Sequence, residues 1–349
     1  MTKEQVRWGV LGCAGIAISQ VMPSIVEAEH AEFLAVASRS LEKARATAEK
    51  FGVPRVYGSY KELLEDPDIE AVYIPLPNSL HKPWSIAAVN AGKHVLCEKP
   101  IALNAAEARD MQAAAEENDR LLLEAFMYRF SPIVQKAIQI IRDGTLGELR
   151  AIHSVFNFYL KDNPKNVRLQ PDLGGGALYD AGCYCINVQR MLTGREPHSA
   201  WARLSWSPKY HVDMGGVGVL DFGDGLRGTF FTGMHTLWDS YFRVSGTKGT
   251  LEAPAGFLGR EREAVLRLAT DRRPDSTAGK PVEPYIVEGS WSKQIVLEPA
   301  NPYVLQMEDA CAAIRGQRPA MFGDEPLDAN MRVIDAIYAS DKTGDEIAV

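Results

Sequence analysis

Short apolar segments alternate with helix-like segments over the first 125 residues. The apolar, β-branched segments, which predict strands, cover residues 8–11, 33–37, 71–74, 94–97 and 121–125. The segments between them have the apolar spacing of helices and cover residues 16–28, 41–51, 60–64, 83–91 and 105–118. Short buried strands that alternate with helices are typical of a parallel sheet with helices on both faces. Residues 1–125 are therefore predicted to form a doubly wound α/β domain.

The pattern changes after a predicted helix over residues 132–143. Strand-like segments then follow one another without helices between them, at residues 151–159, 217–222, 228–232 and 241–244. Helical spacing returns at residues 177–192, 303–315 and 328–340, and residues 254–300 predict loops with short strands. Residues 126–349 are therefore predicted to form an α+β domain with a large, mostly antiparallel, open-faced sheet.

The composition argues against several classes of partner. The 349 residues carry a formal net charge of −7 and contain no block of Lys and Arg, which argues against nucleic-acid binding. No apolar run approaches bilayer length and the N-terminus has no signal region, so we expect a cytoplasmic protein without a membrane partner. The five cysteines are an odd number, and the spacing of Cys183 and Cys185 does not suit a metal pair. We expect reduced thiols and no metal.

A glycine-containing loop follows the first predicted strand, where a dinucleotide pyrophosphate would meet a helix N-terminus. The loop reads Gly12-Cys13-Ala14-Gly15-Ile16-Ala17. Against the G-x-G-x-x-G/A fingerprint of Rossmann folds, Gly12 supplies the tight turn, Ala14 replaces the second glycine and Ala17 takes the third position. So loose a match also fits a purely structural turn, but its place between a strand and a helix favours cofactor binding.

The end of the second predicted strand favours NADP over NAD, although NAD is also compatible with it. The strand closes with Ser38-Arg39-Ser40, and no carboxylate appears before Glu42. An acidic residue here would bind the ribose 2′-hydroxyl of NAD, whereas an arginine accommodates the 2′-phosphate of NADP. The alternative is an arginine on an ordinary surface loop.

The loop after the third predicted strand contributes Pro75, Asn78 and His81. Asn78 offers an amide at the height expected for the nicotinamide. His81 fits cofactor binding and a structural role, as a helix cap or a core hydrogen bond, equally well.

Glu98-Lys99-Pro100 follows the fourth predicted strand and precedes a helix that begins with a capping box, Asn104 and Glu107. Ligands of open parallel sheets bind outside the carboxyl ends of the strands, so Lys99 is expected to face the cofactor cleft. The pKa of a lysine falls with burial or nearby positive charge, which would let Lys99 exchange protons near neutral pH. For Lys-Pro alone, a solvated lysine in a turn is the simpler interpretation.

Three glycines, Gly174 to Gly176, lead into a predicted helix that carries Asp180 and Tyr184. These two side chains stand four residues apart and therefore share one helix face. A carboxylate and a phenol in this arrangement can orient one substrate hydroxyl and exchange its proton. Pairs with this spacing are also common on helix surfaces.

Taken in order, these motifs resemble one oxidoreductase family from end to end. The phosphate loop, Glu98-Lys99-Pro100 and the stretch 174–184 are similar to the glucose–fructose oxidoreductase, inositol dehydrogenase and rhizopine-catabolism family (Gfo/Idh/MocA). Arg168, Tyr184 in place of a more common histidine, and the stretch 124–129 resemble one branch of it. That branch contains NADP-dependent aldose dehydrogenases, dimeric dihydrodiol dehydrogenases and glucose–fructose oxidoreductase.

The resemblance implies catalytic roles for Lys99, Asp180 and Tyr184. Lys99 would bind the reacting oxygen, and its bond to Pro100 would be cis. Asp180 would bind substrate and hold Lys99. Tyr184 would donate or accept the proton, with its pKa lowered by Lys99, although Lys99 could serve as the acid instead.

The resemblance also implies binding roles for residues around these three. Glu98 would contribute to the cofactor site together with Lys99. Arg168 would reach the nicotinamide ribose or carboxamide. Tyr128 and Arg129 would line the sugar pocket.

The implied function is an NADP(H)-dependent oxidoreductase that transfers hydride between nicotinamide and a carbinol or carbonyl carbon of a sugar or sugar-like polyol. A trans-dihydrodiol dehydrogenase or a keto-sugar reductase is the alternative within the family. A nicotinamide-sensing regulator without catalysis is less favoured because the chain keeps the full proton-handling set. A glycosidase that uses nicotinamide transiently is less favoured because of Tyr184.

The resemblance further implies a homodimer or homotetramer that forms through the C-terminal sheet. Phe156, Phe158, Phe230 and Trp238 are the candidates for that surface. The alternative is that these aromatics pack under the helices of their own domain.

Overall fold

The computed structural model describes residues 5–257, 264–270 and 293–349. Within them the first sheet consists of β1 (Val6–Leu11), β2 (Ala31–Ala37), β3 (Arg55–Tyr57), β4 (Ala71–Ile74), β5 (His94–Cys97) and β6 (Leu122–Glu124). The strands are parallel and lie in the order β3-β2-β1-β4-β5-β6. The order reverses between β1 and β4, so the sheet is doubly wound, as predicted, and its ligand crevice lies beyond the carboxyl ends of these strands.

Five helices follow these strands in the described part of the chain, and a π-helical turn, Ala17–Val21, precedes the first of them. They are α1 (Met22–Glu27), α2 (Leu41–Phe51), α3 (Tyr60–Leu64), α4 (His81–Asn90) and α5 (Ala105–Glu117). Asn104 Oδ1 accepts the N–H of Glu107, which confirms the predicted cap, and the Glu107 carboxylate accepts the N–H of Leu103, one residue before the N-cap. The apolar pattern does not predict β3, because its three residues are only half-buried.

The second sheet is large and mostly antiparallel, as predicted. Its described strands are β7 (Leu149–Tyr159), β8 (Ser199–Trp206), β9 (Asp213–Asp221), β10 (Arg227–Gly233), β11 (His235–Gly246), β12 (Thr250–Pro254), β13 (Ala264–Ala269), β14 (Lys293–Leu297) and β15 (Ile347–Ala348). They lie in the order β14-β13-β12-β11-β7-β10-β9-β8-β15. β7 and β10 are parallel, and the other neighbouring pairs are antiparallel.

Two strands, β13 and β14, account for short strands predicted within residues 254–300. The rest of that prediction, at residues 258–263 and 271–292, lies outside the described residues. The sequence reading does not include β8, although its residues alternate between buried and more exposed positions.

The second half of the chain contributes four further α-helices among the described residues. They are α6 (Pro132–Arg142), α7 (Cys183–Thr193), α8 (Pro302–Ile314) and α9 (Ala329–Thr343), and a π-helical turn, Leu178–Gly182, leads into α7. α6, α7 and α9 pack on the second sheet, whereas α8 returns to the first. Trp8 Nε1 on β1 donates to Cys311 Sγ on α8 at 3.3 Å.

One face of the second sheet is covered by its helices. Ser154 on β7 donates to the backbone oxygen of Cys185 on α7, which identifies that face. Phe156 and Phe158 share it because alternate residues of a strand point the same way, and Phe230 pairs with Ser154 across the sheet. The prediction that these phenylalanines form a subunit interface is therefore wrong, and they pack on the helix-covered side.

None of the helices in the described part of the chain combines the length and apolar character that a bilayer crossing needs. The same residues contain no group of three or more His, Cys, Asp or Glu side chains placed to hold a metal ion.

Candidate active site

Lys99, Asp180 and Tyr184 come together at the carboxyl end of β5. Lys99 Nζ donates to the backbone oxygen of Asp180 at 2.8 Å and lies 3.4 Å from Asp180 Oδ1. The same nitrogen lies 4.8 Å from the centre of the Tyr184 ring. The Lys99–Pro100 bond is cis, as expected. Lys99 is thus enclosed by the site and is not a solvated turn residue.

Asp180 is held between two cations. Its Oδ2 accepts from Arg168 Nε at 2.7 Å, and its Oδ1 faces Lys99. Burial would raise the pKa of Asp180, but Arg168 and Lys99 outweigh it and hold this pKa at about 2. Asp180 is therefore an anion at neutral pH and cannot itself supply a proton.

The pKa of Lys99 differs from the sequence-based expectation. Burial lowers this pKa, but Asp180, Cys183 and Glu98 more than offset the effect, so it lies above the ordinary lysine value. The expectation of a lowered lysine pKa is wrong because the burial of Lys99 is accompanied by negative partners. Lys99 is an ammonium group at neutral pH.

The pKa of Tyr184 also moves against the expectation. Burial raises it well above the ordinary tyrosine value, and Tyr303 and Glu98 raise it further. The expected lowering by Lys99 is therefore wrong for this arrangement of the two side chains. Tyr184 is a neutral phenol, and its hydroxyl has no hydrogen-bond partner among the described residues.

Glu98 fixes the backbone that carries Lys99. Its Oε1 accepts from the Tyr73 hydroxyl at 2.6 Å, and its Oε2 accepts the N–H of Lys99 at 3.3 Å. Burial raises the pKa of Glu98. Its side chain also borders the site cavity, where a cofactor would contact it.

A cavity of about 270 Å³ contains these groups. Its polar lining comes from Glu98, Lys99, Arg168, Asp180 and Tyr184. The remaining lining is mostly apolar and aromatic: Ile16, Ala125, Met127, Phe156, Phe158, Trp238, Phe257 and Tyr303. The sequence does not predict most of these apolar lining residues. Alternation along a strand separates its two faces, but it does not show which face lines the cavity.

The phosphate loop borders the same cavity through Ile16. Gly12 has φ +120°, in the region that favours glycine, and its N–H donates to Ala37 on β2. Gly15 and Ile16 are exposed just before the π-helical turn Ala17–Val21, where N–H groups have no partner inside the helix. Ala17 is buried beneath the turn. These features fit the pyrophosphate of a dinucleotide.

The end of β2 leaves Arg39 available to a ligand. Ser38 Oγ accepts the N–H of Ser40, and Ser40 Oγ caps α2, whereas Arg39 is exposed. Burial raises the pKa of Tyr60, and the nearby Arg39 charge opposes that rise. The Tyr60 hydroxyl would lie 3.6 Å from a Cβ built on Gly12, so Arg39 and the phosphate loop are neighbours.

Asn78 and His81 both make hydrogen bonds to the backbone around the site. Asn78 Nδ2 donates to the backbone oxygen of Gly174 at 2.7 Å, so this amide group links the two halves of the site. His81 is fully buried, and its ring nitrogens lie 2.8 Å from the backbone oxygens of Leu76 and Pro100. Burial holds the pKa of His81 at about 4. Of the two roles open to His81, the structure shows the core hydrogen bond, and its buried ring is not available for direct cofactor contact.

Tyr128 and Arg129 do not line the site cavity, so the expectation that they contact substrate is wrong. Both are buried, and both donate to Asn187 Oδ1, the Tyr128 hydroxyl at 2.6 Å and Arg129 Nε at 2.8 Å. Arg129 also pairs with Glu325 at 2.9 Å. Asn187 lies on α7, so these residues hold the helix that carries Tyr184.

Two family models match the chain. An oxidoreductase family with an NAD-binding Rossmann fold, Gfo/Idh/MocA, matches residues 6–126. The C-terminal domain of the same family matches residues 134–252.

Known proteins resemble the chain over most of its length. A D-xylose 1-dehydrogenase (NADP(+)) from Haloferax volcanii is 36% identical over 97% of this chain and 98% of its own. A trans-1,2-dihydrobenzene-1,2-diol dehydrogenase from Mus musculus is 35% identical over 70% of this chain and 73% of its own.

A solved structure agrees with these sequence matches. A 3-ketoreductase from Actinomadura kijaniata, crystallised with NADP and TDP-benzene, superimposes with a TM-score of 0.86 at 28% identity. The superposition covers 97% of this chain and 98% of the reductase. The chain therefore belongs to the Gfo/Idh/MocA family of oxidoreductases.

Proposed function

We propose that the protein is an NADP(H)-dependent oxidoreductase that interconverts a carbinol and a carbonyl carbon in a sugar or sugar-like polyol. The observation that carries the proposal is the convergence of Lys99, Asp180 and Tyr184 in one cavity beside the phosphate loop. A bound nicotinamide would supply the carbon that takes or gives the hydride.

The substrate oxygen would bind between Lys99 and Tyr184. The Lys99 ammonium donates a hydrogen bond to that oxygen and stabilises negative charge on it, while Asp180 fixes the ammonium in place. In the reducing direction, the Tyr184 hydroxyl gives its proton to the oxygen as the carbon gains hydride, and oxidation reverses both transfers. Tyr184 suits this role because its hydroxyl is neutral and uncommitted among the described residues, whereas Lys99 is already bonded to Asp180.

The cofactor preference rests on Arg39. It is an exposed cation beside the phosphate loop, and it can pair with a ribose 2′-phosphate. The xylose dehydrogenase and the 3-ketoreductase that resemble this chain are both named with NADP, which supports the same choice. Pro75, Asn78, Glu98 and Arg168 would lie toward the nicotinamide end.

The proposed substrate class rests on the mixture of polar and aromatic residues that line the cavity. Lys99, Arg168 and Asp180 can bind hydroxyls, and the aromatic wall can pack on the C–H face of a sugar ring. That wall also favours a second candidate, a trans-dihydrodiol, whose ring is less polar than a sugar and is the substrate named for the similar mouse enzyme.

A spectrophotometric screen tests the proposal. Purified protein is mixed with NADP or NAD and a panel of aldoses, inositols, keto-sugars and trans-dihydrodiols, and absorbance of the reduced nicotinamide is followed. We expect NADP-dependent turnover of a sugar or, for the second candidate, of a dihydrodiol. Glycoside release without an absorbance change would instead indicate a glycosidase, and cofactor binding without any turnover would indicate a regulator.

We also propose that the protein forms a homodimer or homotetramer through the uncovered face of the second sheet. Val217 on β9 pairs with Phe231, whose neighbour Phe230 points to the helices, so Val217 lies on the opposite face. Its side chain is 47% exposed in the isolated chain. Apolar side chains on an uncovered sheet face favour association.

A further inference from the structure

A buried carboxylate contacts the start of the helix that carries the catalytic residues. Asp213, the first residue of β9, is 1% exposed. Its Oδ2 accepts the N–H of Leu178 at 2.7 Å, and its Oδ1 accepts from the Tyr338 hydroxyl at 2.9 Å. Leu178 begins the π-helical turn that contains Asp180 and continues into α7. A side chain from the second sheet therefore caps the catalytic helix.

The third glycine before the helix makes this contact possible. Gly176 has φ +127°, a conformation that residues with a Cβ rarely adopt. A Cβ built on Gly176 would overlap Asp213 Oδ1. The backbone can approach the carboxylate this closely only because residue 176 has no side chain.

In the described part of the chain, hydrogen bonds, and not an ion pair, satisfy the Asp213 carboxylate. No Lys or Arg forms an ion pair with it among the described residues, and the titratable groups near it are Tyr338 and Tyr179. Burial raises the pKa of Asp213 to about 6. A buried carboxylate without a cation costs free energy unless its oxygens are hydrogen-bonded, so the contacts with Leu178 and Tyr338 hold this side chain in one place.

We propose that Asp213 is a positioning residue, which fixes the start of the catalytic helix so that Asp180 reaches both Lys99 and Arg168. The inference rests on the proposed function, because Asp180 matters only if Lys99 acts on substrate. Asp180 lies two residues after the capped N–H, so a shift of the helix start moves its carboxylate directly.

The test compares Asp213→Ala, Asp213→Asn and a matched control, Asp335→Ala. The control removes a partly buried aspartate that also accepts an N–H at a helix start, that of Ala105, outside the site cavity. We expect Asp213→Ala to lower kcat by roughly tenfold or more while KM stays within about threefold. Asp213→Asn, whose amide oxygen can still accept the Leu178 N–H, should restore most of the loss. Asp335→Ala should leave kcat within about twofold.

Amide hydrogen exchange supplies a readout that does not need activity. Asp213→Ala should speed exchange in residues 177–182 by about tenfold or more, and Asp335→Ala should not. If Asp213→Ala does not fold, Tyr338→Phe removes one bond to the carboxylate and should lower kcat by about two- to fivefold. Normal kcat and normal exchange in Asp213→Ala, or an equal kcat loss in Asp335→Ala, would overturn the inference. A wild-type protein that turns over no substrate defeats the proposed function, and exchange alone then decides whether Asp213 fixes the helix.

Discussion

At the scale of single residues, Asp180 links the two cations of the site. One carboxylate contacts both Lys99 Nζ and Arg168 Nε, and its pKa of about 2 keeps it charged. The same contact keeps Lys99 protonated, because the anion stabilises the ammonium. Lys99 is thus a fixed positive charge beside a neutral Tyr184, which suits stabilisation of a developing oxyanion better than proton abstraction.

A sequence can identify those site residues whose position on a strand or helix fixes where their side chains point. Lys99 at a strand end, and Asp180 and Tyr184 on one helix face, meet as predicted. Tyr128 and Arg129 do not line the cavity as predicted, and the sequence leaves two roles open for His81, because burial and the identity of a hydrogen-bond partner depend on residues far away in the chain. The pKa of Lys99 is raised by Asp180, and that of Tyr184 is raised by burial. Neither environment is visible in the local sequence.

Arg39 provides a prediction about cofactor choice. Arg39→Ala should raise KM for NADP by roughly 10- to 100-fold and change KM for NAD little, because a charge-assisted hydrogen bond contributes about 1.5–3 kcal/mol. Steady-state kinetics with both cofactors measure this. Arg45→Ala, an exposed arginine on the following helix, is the control and should leave both constants within about twofold. Equal changes for NADP and NAD would show that Arg39 does not read the 2′-phosphate.

At the scale of elements, contacts from other parts of the chain constrain the helix that carries Asp180 and Tyr184. Asp213 caps the start of this helix, and Asn78 donates to the backbone oxygen of Gly174 just before it. Within the helix, Asn187 accepts hydrogen bonds from Tyr128 and Arg129. Local chemistry predicts the capping box at Asn104, since both partners lie within four residues. The π-helical turn at Leu178–Gly182 and the Asp213 cap cannot be predicted this way, because a strand more than thirty residues later supplies the contact.

Gly176→Ala tests this constraint. The substitution places a Cβ at φ +127° and against Asp213, so we expect the unfolding free energy to fall by about 2 kcal/mol or more. Gly144→Ala is the matched control, because φ is +77° there and no atom lies within 4 Å of the added Cβ. It should lose only about 1 kcal/mol. Thermal unfolding of both variants measures the difference, and equal losses would mean that the contact with Asp213 is not tight.

At the scale of the whole molecule, residues that follow strands of the first sheet and residues of the second sheet both line the candidate active site. Helix α8, near the end of the chain, packs on the first sheet. The spacing of the apolar residues predicts both sheets. Strands that alternate with helices give a different apolar pattern from strands that follow one another directly. This spacing does not predict that α8 packs on the first sheet. The contact between Trp8 and Cys311 spans about 300 residues and leaves no local pattern.

The proposed assembly can be tested with Val217→Asp. A charge on the uncovered face of the second sheet should reduce a dimer or tetramer to a smaller species, because it would be desolvated in the interface. Light scattering after size-exclusion chromatography measures the mass. Val26→Asp is the control: Val26 is 57% exposed, but it lies on α1 and not on the second sheet, so the mass should not change. A monomeric wild-type protein would contradict the proposed assembly.

The most direct test of the account is the effect of Lys99→Ala on the chemical step. We predict that kcat/KM falls by a factor of about 100 or more, since the loss of one hydrogen-bond donor to a developing oxyanion typically costs about that much. NADPH binding, followed by fluorescence, should stay within a few-fold, and Lys136→Ala on α6 should match the wild type. A Lys99→Ala variant that binds NADPH and turns over substrate at a near-normal rate would contradict the central claim.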